Sequence, residues 1–212
     1  MGNSEITRPQ ILESAKKEFL EKGYKDAALR KIVKQVGLTT GAFYGYYSSK
    51  EEVFDALVGK TAKRFLAWHC EVYRRFEEKQ LGMGKKAFEM FQKELGLRML
   101  EYIYQEYEAF RLLFCCSKGS SYENFMEQLV EVQADFLLRW VKNMEQQGYH
   151  LRIQMDEKLA HVIAVQNFQA VYEMIALRFS KKQAIAYIYS IYQIQYYGWS
   201  GNIELWEAET GT

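Results

Sequence analysis

The stretch Leu29–Lys50 constrains this chain more than any other. Leu29, Ile32, Val33 and Val36 recur at i, i+3, i+4 and i+7, the apolar stripe of a short helix, with Lys31, Lys34 and Gln35 on its other side. Gly37 supplies a residue for which positive φ costs little, so the helix ends there and the chain turns. Thr39 or Thr40 can cap a second helix, expected over residues 40–46 and too short to stand alone. It opens on the small residues Thr39, Thr40, Gly41 and Ala42 and runs into Phe43, Tyr44, Tyr46 and Tyr47. Helix, glycine turn and short helix with a small-residue start is the layout of a helix-turn-helix DNA reader. Small residues let the backbone approach base edges, and tyrosine hydroxyls reach phosphates. A two-helix corner in any all-α protein shares the same spacing.

The rest of the chain agrees with an all-helical reading. Pro9 is the single proline in 212 residues, of which 49% are apolar, so few helix interiors are open to interruption by proline. The fold expected is all-α with about nine helices. Residues 1–50 form a three-helix helix-turn-helix domain, and residues 51–212 form an antiparallel helical bundle. A capping box at Thr7 and Gln10, with Pro9 in the first turn, would start the first helix, whose inner face is Ile11, Ala15 and Phe19. A second box, Ser49 to Glu52, starts a long helix reaching about residue 78. Lys50 in its first turn opposes the helix dipole, so together with the free N–H groups it reads as a phosphate site. Gln80–Gly84, with two glycines, is expected to break the chain before the next long helix.

Net charge is only +1, but residues 1–64 hold 12 Lys/Arg against 8 Asp/Glu and residues 65–212 hold 16 against 19. A basic module ahead of a mildly acidic remainder fits a nucleic-acid partner for the first part. Three cysteines, Cys70 and Cys115-Cys116, have no metal spacing and fit a reducing compartment. Met1–Gln10 has no apolar core of a secretory signal, and a cytoplasmic location is expected. His69, His150 and His161 are scattered, and neither a zinc motif nor a phosphate-binding glycine loop is present. No catalytic residue, metal or cofactor is therefore expected, and the chain is not read as an enzyme.

Leu159–Tyr172 and Gln183–Ile203 contain no Asp, Glu, Lys or Arg. The second run is long enough to cross a bilayer, but Gln183, Ser190, Gln193, Gln195 and its tyrosines are costly in hydrocarbon, so no membrane is implied. Two charge-depleted helices joined by a charged hairpin suggest burial on more than one face. Self-association through residues 156–199, as a two-fold dimer whose helix pairs form a four-helix bundle, accounts for that economically. Aromatics make up 16% of the chain, and Phe65, Trp68, Tyr102, Phe110, Phe114, Phe136, Trp140, Phe168 and Tyr172 lie on helices able to surround a cavity, with Gln166 or Asn167 as polar groups. At helical spacing such a stripe also describes an ordinary core.

The segment Leu38-Thr39-Thr40-Gly41-Ala42-Phe43-Tyr44-Gly45-Tyr46-Tyr47-Ser48-Ser49-Lys50-Glu51-Glu52, with Gly23-Tyr24 and Arg30-Lys31-Ile32 before it, resembles the recognition region of the TetR family of bacterial transcriptional repressors. The resemblance covers residues 9–55, and beyond them it is architectural. It implies a ligand-responsive repressor that binds a palindromic DNA operator as a homodimer through its last two helices, with a small-molecule effector in the C-terminal bundle. Half-sites would lie ~34–36 Å apart or a multiple of that. The resemblance places Tyr44, Tyr46 and Lys50 on phosphates and Arg30, Thr39 and Thr40 on phosphates or base edges, with Gly41 and Ala42 allowing close approach. Arg30 is the candidate for a bidentate guanine contact. Ala27 and Ala28 depart from the family, which has a Thr or Ser before the second helix, and Gly45 replaces a larger residue and weakens the recognition helix. A helical enzyme using the aromatic bundle, or a non-DNA adaptor on the same scaffold, is the alternative reading.

Overall fold

The computed structural model describes residues 2–79, 85–201 and 203–205, and the break expected at Gln80–Gly84 lies outside them. The helices among the described residues are α1 (Gly2–Asp26), α2 (Leu29–Gln35), α3 (Thr40–Phe43), α4 (Lys50–Lys79), α5 (Lys85–Gln105), α6 (Tyr107–Cys115), α7 (Phe125–Gln146), α8 (Glu157–Ala176) and α9 (Lys181–Ser200). The all-α class with nine helices stands. Two short strands that the sequence reading lacked, β1 (Tyr149–Leu151) and β2 (Ile203–Leu205), pair antiparallel with Tyr149 opposite Leu205 and Leu151 opposite Ile203. No helix among the described residues is long and apolar enough to cross a membrane.

The chain divides into two compact units, Met1–Leu66 with Gln105–Glu127, and Ala67–Tyr104 with Gln128–Thr212. The first unit extends past the reader boundary expected at residue 50, because α6 and the opening turns of α4 pack with it. Ile11, Ala15 and Phe19 of α1 are fully buried with Ile32 and Val33 of α2, Phe43 of α3 and Phe54 of α4. Phe19 and Tyr24 meet Phe54 edge-on, with ring centroids 5.2 and 5.1 Å away. The α1 start expected at Thr7 is corrected. The helix already runs from Gly2 and takes Pro9 into its interior, where the proline removes one ladder N–H. Gly23, at φ 77°, sets a sharp kink near the end of α1.

In the second unit Tyr73 stacks on Phe136 at 4.3 Å and Phe76 on Phe91 at 3.8 Å, and Trp140 is 1% exposed. Helix α8 turns Ala160, Ala164, Phe168, Val171 and Ile175 inward, one stripe at helical spacing. Arg178 closes α8 in the left-handed region at φ 56°, where glycine is the usual residue. The Phe179 and Arg178 N–H groups bond back to the Met174 and Ile175 carbonyls. Among the described side chains of α9 only Ala184 and Ile188 are buried. The charge-poor sequence of α9 is thus far more apolar than one chain requires.

Candidate nucleic-acid interface and effector cleft

The corner between α2 and α3 is built by backbone geometry. Gly37 has φ 69°, the Leu38 N–H reaches the Val33 carbonyl at 2.9 Å, and the Gly37 N–H reaches that of Lys34 at 3.2 Å. This pair of bonds satisfies the carbonyls left open at a helix end. Thr39 then caps α3, its Oγ1 accepting from the Ala42 N–H at 3.1 Å. The helix is shorter than expected. It ends at Phe43 and continues as a tight turn in which the Gly45 and Tyr46 N–H groups bond the Ala42 and Phe43 carbonyls. Gly45 stands where the helix gives way, in line with the cost of glycine in a helix interior.

Packing sorts the aromatics of this corner. Phe43 and Tyr47 are buried, at 0% and 5% exposure, with the Arg8 guanidinium 5.4 Å from the Tyr47 ring centre. Tyr44 points outward at 56% exposure, and Tyr46 is half-buried. Arg30, Thr39, Gly41 and Ala42 are exposed and Thr40 is half-buried. All eight candidate DNA-contacting residues, Lys50 included, are thus exposed or half-buried.

Lys50, expected at a phosphate, makes hydrogen bonds within the chain. Its Nζ donates to the carbonyl oxygens of Tyr24 at 2.6 Å, Ala27 at 3.2 Å and Lys25 at 3.3 Å, and lies 4.4 Å from the Tyr24 ring centre. An ammonium has three donors, and all three find acceptors at the end of α1. Burial lowers its pKa, partly offset by Asp26 and Glu51. Next to it, Glu51 accepts from the Ser121 N–H and hydroxyl at 2.9 and 2.6 Å. Burial, followed by the bond to Glu51, pushes the Tyr24 phenol up to about 12, while Tyr122 bonds Asp55 one turn along α4. The first turns of α4 are thus fastened to both the end of α1 and the segment after α6. The capping box is confirmed at Ser49, whose Oγ accepts from the Glu52 N–H at 3.1 Å, but the Glu52 carboxylate reaches Ser48 instead, at its N–H and hydroxyl.

One contact was missed by sequence reasoning. Ala28 provides no side-chain cap to α2, yet Glu18, 3% exposed, sends a carboxylate oxygen to the Ala28 N–H at 3.3 Å, with Lys31 Nζ 3.9 Å away. A carboxylate from α1 thereby supplies the negative end that α2 lacks locally. The Ala27-Ala28 pair was the signal, since an uncapped helix start invites a partner from elsewhere.

The clefts share only part of their lining with the expected pocket residues. Two adjoining clefts in the second unit, of about 70 and 20 Å³, share Gln92, Asn167, Tyr192 and Gln195. Of the residues expected to line a pocket, Asn167 lines both clefts and Phe168 the second, while Phe65, Trp68, Tyr102, Phe110, Phe114, Phe136, Trp140, Gln166 and Tyr172 line neither. Phe65, Phe110 and Phe114 pack on one another inside the first unit. Phe136 and Trp140 are buried in the second. Trp68 lies against Tyr102 at 5.7 Å, Gln166 is exposed and Tyr172 half-buried. The aromatic stripes serve cores, as their large apolar area favours. The polar signal was the set of amides in the charge-poor helices, Asn167, Gln193 and Gln195. Among the described residues no group of three or more His, Cys, Asp or Glu is placed to hold a metal.

Comparison with known proteins agrees with this geometry. Residues 11–57 match the family described as bacterial regulatory proteins, tetR family. Over 66 residues the chain is 38% identical to the HTH-type transcriptional repressor AcnR of Corynebacterium diphtheriae, a stretch covering 30% of this chain and 35% of that protein. Over 73 residues it is 33% identical to the HTH-type transcriptional repressor KstR2 of Mycobacterium tuberculosis, covering 34% of each. The matched stretch spans about a third of the length of these curated relatives. The fold match is much longer. The TetR family regulator PfmR of Thermus thermophilus has a TM-score of 0.57 at 21% identity, covering 89% of this chain and 94% of its own. NalD, secondary repressor of the MexAB-OprM multidrug efflux pump in Pseudomonas aeruginosa, has a TM-score of 0.55 at 16% identity, covering 91% and 96%.

Proposed function

For a chain that belongs to the tetR family of bacterial regulatory proteins, we propose a ligand-responsive transcriptional repressor that binds a palindromic operator as a homodimer. The family is one of regulators and not of enzymes, which removes the enzyme alternative. The observation that carries the proposal is the α2–α3 corner, where Gly37 and the Thr39 cap fix a short helix with Arg30, Thr39, Gly41, Ala42 and Tyr44 exposed around it. In this reading α3 enters the major groove, Tyr44 and Tyr46 hold phosphates, and Arg30 reads a base edge or a phosphate. Lys50 acts as the brace that sets the angle between α1 and α4. Residues 1–50 serve as reader and residues 51–212 as the sensing and dimerising part.

Exposed apolar residues support the dimer. Val162 and Val165 on α8, and Tyr187, Ile194 and Tyr197 on α9, are 38–73% exposed in the single chain, and exposed apolar residues on these two helices favour a partner surface there. A second copy matches itself across a two-fold axis. The Asn167–Gln195 cleft suits an effector, which acts by binding two states of the protein with different affinity. Lys50, Glu51 and Asp55 put α4 in a position to convey that change to the reader.

The test is binding to duplex DNA from upstream of the protein's own gene at two salt concentrations, with Tyr44→Ala and Arg30→Ala beside the parent. The expected result is saturable binding that resists competitor DNA, weakens steeply with salt and is lost in both variants. Equal binding to any duplex, unaffected by the variants, favours the adaptor reading.

A further inference from the structure

The effector reading leaves the ligand's chemistry open, and the lining of the two clefts narrows it. Among the described residues that line them, Lys93 alone carries a full charge near neutral pH. It is exposed, and its Nζ lies 4.3 Å from the centre of the Tyr189 ring, so it marks the mouth of the outer cleft. Inward, Asn167 accepts from the Gln195 carboxamide. At the inner end His69 and Gln133 are 1% and 4% exposed, beside Phe168 at 2%. Burial holds the His69 imidazole at a pKa of about 4, so near neutral pH it brings a dipole and no charge.

This gradient selects among ligand classes. A cation meets Lys93 at the entrance and no carboxylate beyond it. A long aliphatic chain strips water from the inner carboxamides without replacing its hydrogen bonds, which is costly. A flat ring lies against Tyr192 and Phe168, with a negative end at Lys93 and an uncharged polar end among the amides. Resting on the effector reading above, we propose that the α5–α8–α9 cleft takes a small aromatic carboxylic acid bearing a second, uncharged hydrogen-bonding group. The carboxylate pairs with Lys93, and the second group bonds at Asn167, Gln195 and Gln133.

Titration calorimetry on the full chain tests this with 4-hydroxybenzoate, benzoate, 4-hydroxybenzamide, 4-hydroxybenzylamine and octanoate as probes at millimolar concentration. The expected order places 4-hydroxybenzoate first, with 4-hydroxybenzylamine silent. Lys93→Gln, at an exposed position that the fold does not depend on, weakens 4-hydroxybenzoate by roughly five- to tenfold, the scale of one charge-assisted contact near the surface, and leaves 4-hydroxybenzamide unchanged. Gln195→Met removes the advantage of 4-hydroxybenzoate over benzoate. The proposal is overturned if amide and acid bind alike, if octanoate binds most tightly, or if no probe binds. Calorimetry uses no DNA, so the two readings fail separately. Probe binding without operator binding removes the regulator and keeps the cleft, and operator binding with a silent calorimeter does the reverse.

Discussion

Replacing Lys50 by Met separates a brace from a phosphate ligand. The substitution leaves the carbonyls of Tyr24, Ala27 and Lys25 without the ammonium that now lies 2.6, 3.2 and 3.3 Å from them. A charge-assisted hydrogen bond contributes about 1.5–3 kcal/mol, and a ring contact such as that with Tyr24 adds about 0.5–1 kcal/mol. The group is half-buried, water screens the two longer bonds, and the desolvation that lowers its pKa offsets part of the gain. A net loss of about 2 kcal/mol is expected, or a fall of roughly 4–8 °C in melting temperature for a chain of this size.

The second measurement is the salt dependence of operator binding. A lysine that neutralises a phosphate takes about 0.9 off the slope of log affinity against log salt when it is removed, whereas a lysine that only positions the reader lowers affinity and leaves the slope alone. For Lys50→Met the expected pair is a lower melting temperature and an unchanged slope. An unchanged melting temperature with a slope reduced by about one unit would refute the brace and restore Lys50 to the DNA backbone.

Three further outcomes follow from the same geometry. Glu18→Ala leaves the Ala28 N–H without its carboxylate and lowers the urea-unfolding free energy by about 1–3 kcal/mol, while adding Ala28→Ser supplies a local cap and recovers about 1 kcal/mol; no recovery means that Glu18 does not act as the cap of α2. Because the folded pKa of His69 lies near 4, below the ordinary imidazole value, the unfolded chain binds the extra proton first, so stability is full above pH ~6.5 and falls toward pH ~4, a loss that a urea titration of His69→Gln shows flattened. On the exposed α8–α9 face, Ile194→Glu weakens the proposed dimer by about thirtyfold or more, the scale of a central interface residue, and sedimentation reads the monomer; an unchanged sedimentation coefficient moves the interface elsewhere.

What the sequence discloses is set by range. Gly37 at positive φ, the Thr39 cap and the buried faces Ile11-Ala15-Phe19 and Ile32-Val33 are decided by residues within a turn or two of one another, and all were legible. The intrachain bonds of Lys50 were not, because its acceptors lie 23 to 26 residues earlier. Local rules see a cation opposing a helix dipole and pair it with a phosphate, and they do not see the carbonyls at the end of α1 to which its ammonium donates. Glu18 is the same case in reverse, a carboxylate whose role becomes visible once α1 and α2 are side by side. Most of the cleft lining, Asn167 and Phe168 apart, was missed for another reason. Periodicity identifies which face of a helix is apolar but not which neighbour fills it, so aromatic stripes that complete two separate cores read as one pocket wall.

Helix α9 carries this logic furthest. It has no acidic residue in Lys181–Ser200, and its basic residues stop at Lys182, yet the chain buries only Ala184 and Ile188 among its described side chains. A helix whose faces were all meant for water would carry charges around it, and one meant for a single core would keep them on the outer side. Helix α9 does neither, and Ile194 and Tyr197 stand 73% exposed on the surplus face. Its Tyr189, Tyr192, Gln193 and Gln195 line the cleft. One helix would then face a second copy of the chain on one side and an effector on another. That gives an effector a direct means of favouring one dimer geometry over another, provided it contacts the two geometries differently.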